Sequence, residues 1–129
     1  MAGETALDSN VAIRHLNGDS AVVDKVLALP TVMLPLIVVG ELLFGAENSG
    51  RPIRNITRYL QFIDACVVVP IGRETAAVYS QTRLGLKRKG RPIPDNDIWI
   101  AAQCIEYGWK LATVDEHFNY VDGLQVEHW

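Results

Sequence analysis

Short, almost wholly apolar runs alternate with longer amphipathic stretches along this chain, and the alternation constrains the fold more than any other feature. Thr5–Leu7 forms a short first strand that leads into Asp8. Asp19 or Ser20 caps a helix over Ala21–Leu29, and Pro30 ends it. Thr31–Leu34 is β-branched and apolar, which suits a second strand. Pro35 then opens a helix over Leu36–Glu47, where Val39, Leu42, Leu43 and Ala46 recur at helical spacing. A helix over Ile56–Ile63 and a third strand over Cys66–Val69, stopped by Pro70, follow. Arg73–Lys87 is amphipathic, KRKGRPIPD reads as a basic loop, and Ile98–Tyr107 is helical with Gly108 as its stop. Leu111–Val114 and Leu124–Val126 are the last two strands. Strands without a polar face, separated by helices, imply an α/β sandwich around a mostly parallel sheet. Ligands of such sheets bind beyond the carboxyl ends of the strands, where Asp8 and Asp115 both fall.

Four acids stand out by their surroundings. Asp8 follows the first strand, Asp115 follows the strand LATV, and Asp97 begins the apolar stretch DIWIAAQCI. Taken singly, Asp8 and Asp115 could be turn residues and Asp97 a helix cap. Glu41 is harder to dismiss. It lies in IVVGELLFGA, with no Lys or Arg as a helical neighbour, and an ionised carboxylate in apolar surroundings is costly unless paired or bound to metal. A salt bridge to a distant Arg is the alternative. Together the four form an oxygen-only donor set, which suits Mg²⁺ or Mn²⁺ rather than zinc. His15, His117 and His128 lack zinc-ligand spacing and read as surface residues.

At these residues the chain resembles the PIN-domain family, specifically the VapC toxins of type II toxin–antitoxin systems. The motifs are LDSN at Asp8, VVGELLFGA around Glu41, PIPDNDIWIAA around Asp97 and LATVDEHF at Asp115, followed by GLQVEHW. Their order and spacing carry the resemblance from Leu7 to Trp129. It implies a single PIN-like three-layer sandwich over 1–129. It also implies a metal-dependent ribonuclease that cuts structured RNA of the tRNA or rRNA class and leaves a 5′-phosphate. A homodimer and a VapB-type antitoxin, whose C-terminal segment lies over the site, are implied as well. By the same resemblance Asp8, Glu41, Asp97 and Asp115 bind the metal, and Ser9, Asn10 and Thr113 support them. Asp95 is a helix cap or a carboxylate outside the ligand set. Three positions depart from the family pattern: GETA precedes Asp8 with little apolar character, Ser9 replaces the commoner Thr, and Val114 replaces an Arg.

Net charge is −3, but eight of the twelve Lys and Arg residues lie in two segments. These are Arg51, Arg54 and Arg58, then Arg83, Lys87, Arg88, Lys89 and Arg91. With four carboxylates committed to metal, the remainder is weakly positive, so RNA binding is compatible with an acidic pI. Lys87, Arg88, Lys89 and Arg91 are candidates for phosphate capture, with a solvated charge run as the alternative. A receiver domain would need an Asp ending the third strand, where Pro70 stands instead. A catalytically silent PIN domain serving as an RNA- or protein-binding module remains the rival.

The 129 residues are 49% hydrophobic and 21% charged, a composition for one globular domain and not for a disordered chain. The longest apolar stretch, Val32–Phe44, is broken by Pro35, Gly40 and Glu41, so no bilayer-spanning run is expected. MAGETALDSN has no signal-peptide pattern, and the expectation is a cytoplasmic protein. Cys66 and Cys104 lie in apolar stretches and read as reduced thiols.

Overall fold

The computed structural model describes residues 3–129. The elements are β1 (Thr5–Leu7), α1 (Ser9–Leu16), α2 (Ser20–Ala28), β2 (Val32–Leu34), α3 (Leu36–Glu47) and α4 (Pro52–Ala65). They continue as β3 (Val67–Val68), α5 (Arg73–Arg88), α6 (Asp95–Tyr107), β4 (Lys110–Thr113), a 3₁₀ segment (Glu116–Tyr120) and β5 (Gln125–His128). The strands form one sheet in the order β3-β2-β1-β4-β5, and every observed pairing is parallel. Helices flank it, as the α/β reading expects.

β1 occupies the centre, and Thr5, Ala6 and Leu7 are all buried, which explains why the strand has no polar face. The chain runs outward from β1 to β2 and β3, then crosses back to place β4 and β5 on the other side. The strand order therefore reverses between β1 and β4, the position where open α/β sheets leave a crevice at their carboxyl ends. Register sets what meets there. Leu7 pairs with Ala112, and Asp8 N donates to Ala112 O at 3.0 Å, which brings Asp8 beside Thr113.

Several boundaries differ from the sequence expectation. The helix α1 was not expected at all; it is only eight residues long and buries only Val11 and Ala12 fully. Asp8 is its N-cap as well as the residue after β1. α4 starts at Pro52, four residues before the expected Ile56, with Pro in the first turn where its missing N–H costs nothing. Lys87 and Arg88 end α5 and are not part of a loop. α6 begins at Asp95, so Asp97 is its third residue, and Gly108 ends it with φ 71° in the left-handed region. The expected strand at Leu124–Val126 is shifted to Gln125–His128. Cys66 and Cys104 are unpaired, and burial raises both thiols, Cys66 to about 11. Among the described residues no helix is long and apolar enough to cross a membrane.

Candidate metal centre

The site is assembled from four separate parts of the chain. Asp8 leaves the central strand and is only 3% exposed. Thr113 Oγ1 donates to its Oδ2 at 2.7 Å, and Ser9 N donates to its Oδ1 at 2.8 Å. Thr113 Oγ1 also accepts from Asp115 N at 3.0 Å, so one hydroxyl ties the turn carrying Asp115 to Asp8. Glu41 enters from α3, and Ser9 Oγ donates to its Oε1. Asp97 enters from the first turn of α6 with a side chain 17% exposed.

The charges of these acids act on one another. Burial raises Asp8 above the usual carboxylate range; the hydrogen bonds from Thr113 and Ser9 oppose this, while the Asp115 and Glu41 charges add to it. Burial and then the Asp8 charge push Asp97 up to about 6, with further increments from Glu41 and Asp115. His117 opposes that rise, its Nε2 lying 2.9 Å from Asp97 Oδ2. The approach lies off the N–H axis, so the contact is electrostatic and not an aligned hydrogen bond. Among the described residues no Lys or Arg forms an ion pair with any of the four acids.

Among the described residues no three His, Cys, Asp or Glu side chains already stand at ligand spacing. The charges of the four acids nevertheless reach one another, since Asp8, Glu41 and Asp115 each raise Asp97. As a donor set they fit a hard divalent cation: all oxygen, partly desolvated and, among the described residues, without a lysine or arginine partner. Asp8, Glu41, Asp97 and Asp115 are the residues that would hold it.

The supporting residues divide. Ser9 and Thr113 hold acids in place. Asn10 is exposed and lines a groove with Ser9, Ile13, Leu36, Glu41 and Asn96; its side chain holds none of the acids by a hydrogen bond. Asp95 is not a cap, because Pro94 occupies that position; its Oδ1 accepts from Tyr79 OH at 3.0 Å and lies 3.7 Å from Arg83 Nη1. The basic run is also split. Lys89 Nζ is held by Tyr120 O at 2.9 Å and Asp122 Oδ1 at 2.6 Å, and Arg91 stacks 4.5 Å over the Tyr120 ring. Lys87 and Arg88 are exposed and make no ion pair among the described residues. Arg58 donates to Leu16 O and so caps α1.

His117 is the residue that sequence reasoning misplaced: it stands against Asp97 and not on an open surface. Its position two residues after Asp115, in the 3₁₀ segment, was the available signal.

The PIN domain family model matches residues 5–124. Ribonuclease VapC2 of Haemophilus influenzae is 33% identical over 94 residues, covering 72% of this chain and 71% of that protein. The tRNA(fMet)-specific endonuclease VapC of Shigella flexneri is 29% identical over 126 residues, covering 95% and 96%. The crystal structure of DNA-bound VapBC from Salmonella typhimurium superposes with a TM-score of 0.91 at 28% identity, covering 98% of each chain. The chain belongs to the PIN-domain family and, within it, to the VapC ribonucleases.

Proposed function

We propose that the protein is the Mg²⁺- or Mn²⁺-dependent endoribonuclease toxin of a type II toxin–antitoxin pair, cutting structured RNA of the tRNA or rRNA class. One observation carries the reading. At the point where the strand order reverses, the buried Asp8 and the partly buried Asp97 both carry raised carboxyl pKa values, and among the described residues neither has a lysine or arginine partner. Such a concentration of like charge calls for a cation. A divalent ion held by Asp8, Glu41, Asp97 and Asp115 would supply charge stabilisation for the phosphodiester and lower the pKa of a bound water.

The chain's own residues supply orientation. Thr113 and Ser9 fix both oxygens of Asp8, and Ser9 fixes one oxygen of Glu41, so two of the four carboxylates are held in place by hydrogen bonds. His117 offsets charge at Asp97, its Nε2 lying 2.9 Å from Oδ2. Lys87 and Arg88 are the cations free to meet RNA phosphates; Lys89 and Arg91 are committed to the Tyr120–Asp122 segment. The VapBC relatives support a VapB-type antitoxin as partner, and we extend the reading to a homodimer acting in the cytoplasm, where its substrate is.

Purified protein incubated with bulk tRNA and rRNA in Mg²⁺ should produce discrete fragments with 5′-phosphates. EDTA and Asp97→Asn should each stop the cleavage. Fragments that persist in both would mean that another nuclease, or another site, does the cutting.

A further inference from the structure

Gln103 is the one amide in the buried stretch Ile98–Cys104 of α6, and it is fully buried. Both ends of its side chain are used. Its Oε1 accepts from Leu36 N at 3.0 Å, and its Nε2 donates to Val69 O at 2.7 Å. Leu36 is the first residue of α3, the helix that carries Glu41. Its N-cap, Pro35, has no side-chain acceptor to satisfy the free N–H groups there. Val69 immediately follows β3. One amide on the helix of Asp97 therefore fixes both the start of the Glu41 helix and the carboxyl end of the edge strand.

An apolar residue of similar volume could fill this space but could not choose a register. Apolar contacts between α3 and α6 tolerate sliding, whereas a hydrogen bond to a single backbone N–H does not. Asn96, one heptad before Gln103 on α6, lines the groove that Glu41 opens into, so the same stripe of α6 reaches the acid.

We infer that Gln103 is a positioning residue of the metal centre: its bond to Leu36 N sets where Glu41 stands relative to Asp97 and Asp8. This rests on the metal reading of the four acids.

The experiment is a Mn²⁺ titration of the melting temperature, with RNA cleavage measured in parallel. Wild type is compared with Gln103→Met, which keeps the volume and loses both bonds, and with Leu36→Pro. The latter removes the donor, and with it the Leu36 side chain, but leaves the bond to Val69 O intact, at a position where proline is tolerated and where Pro35, at ψ 141°, already has the conformation that a following proline requires. In both variants the Mn²⁺ midpoint should rise about tenfold, as for groups that orient metal ligands. kcat should fall while KM for RNA stays near wild type. The double variant should shift the midpoint no further than Gln103→Met alone, because the bond that Leu36→Pro breaks is one that Gln103→Met has already removed. A lower melting temperature with an unchanged Mn²⁺ midpoint in the variants would make Gln103 a core residue only and overturn the inference. If Gln103→Met fails to fold, Leu36→Pro decides it alone. If wild type itself shows no Mn²⁺ response, the metal reading fails first, a result distinct from an unchanged midpoint.

Discussion

The acidic centre and the basic stretch from Lys87 to Arg91 behave in opposite ways. The four acids are scattered over more than a hundred positions, yet the fold brings them within reach of one another's charge. The basic residues are neighbours in sequence, yet the fold divides them. Lys87 and Arg88 close a helix and face solvent, while Lys89 and Arg91 turn onto Asp122 and Tyr120. The difference lies in burial. A carboxylate next to a central strand cannot relax into water, so its position is set by the sheet register and by donors such as Thr113. An exposed lysine takes whatever local partner is close, at little energetic consequence.

The contrast can be broken most severely at the acids. Asp8→Asn should lower RNA cleavage by about a hundredfold or more, since misplacing the reacting groups is costly, while RNA binding stays near wild type. Single-turnover cleavage and filter binding on the same RNA separate the two. Equal losses in both would place Asp8 in binding and not in catalysis.

A smaller effect is expected from the support beneath them. Thr113→Val keeps the shape but leaves Asp8 Oδ2 without its donor, for a cost of about 1–3 kcal/mol. It also removes the hydrogen bond that lowers Asp8, so the folded-state pKa rises further and metal-free stability should fall more steeply with pH than in wild type. Denaturant melts at pH 5 and 7 read both effects; a variant as stable as wild type at pH 7 would show that Thr113 is not a support.

The basic side should give the smallest changes. Replacing Lys87 and Arg88 by Ala should reduce the salt slope of RNA binding by up to about 0.7–0.9 per lost contact. Lys89→Ala should move it little, because that ammonium is held by Asp122 and Tyr120 O. If Lys89 proves the more important of the three, the division of the basic run described here is wrong for the RNA-bound protein.

Much of this was legible in the sequence where one strong signal acted alone. Thr5–Leu7 and Leu36–Glu47 were read to the residue, the first from a short segment leading into an acid in spite of its weak apolar character and the second from Pro35 followed by helical spacing. The helix α1 was missed because Asp8 serves two purposes and the strand-end reading hid its role as a cap. Of the two readings of Asp95, helix cap or carboxylate outside the ligand set, the cap fails because Pro94 takes that position and the Asp95 side chain turns toward Tyr79. His117 was judged by zinc spacing alone, a test that cannot detect a histidine paired with a carboxylate. Gln103 was open to the reasoning that singled out Glu41, a lone polar group in an apolar helix, but only tertiary structure supplies its partners, Leu36 and Val69.

The central claim is that the four acids form one cation-dependent cluster, and thermal melting tests it without knowledge of the RNA. Wild type and Asp97→Asn are melted at pH 5 and 7, with EDTA and with Mn²⁺. Asp97 is raised in the fold to about 6, above the unfolded carboxylate range near 4. The folded state therefore holds protons that the unfolded state has released, and this stabilisation, complete below pH ~4, is lost as pH rises through about 6. Wild type in EDTA should be less stable at pH 7 than at pH 5, and Asp97→Asn should lose less over the same interval. Mn²⁺ at a hundred times its dissociation constant should return about 2.7 kcal/mol to wild type at pH 7, and less to the variant. A wild type whose melting at pH 7 is indifferent to Mn²⁺ would contradict the claim, leaving four acids that share a crevice without sharing an ion.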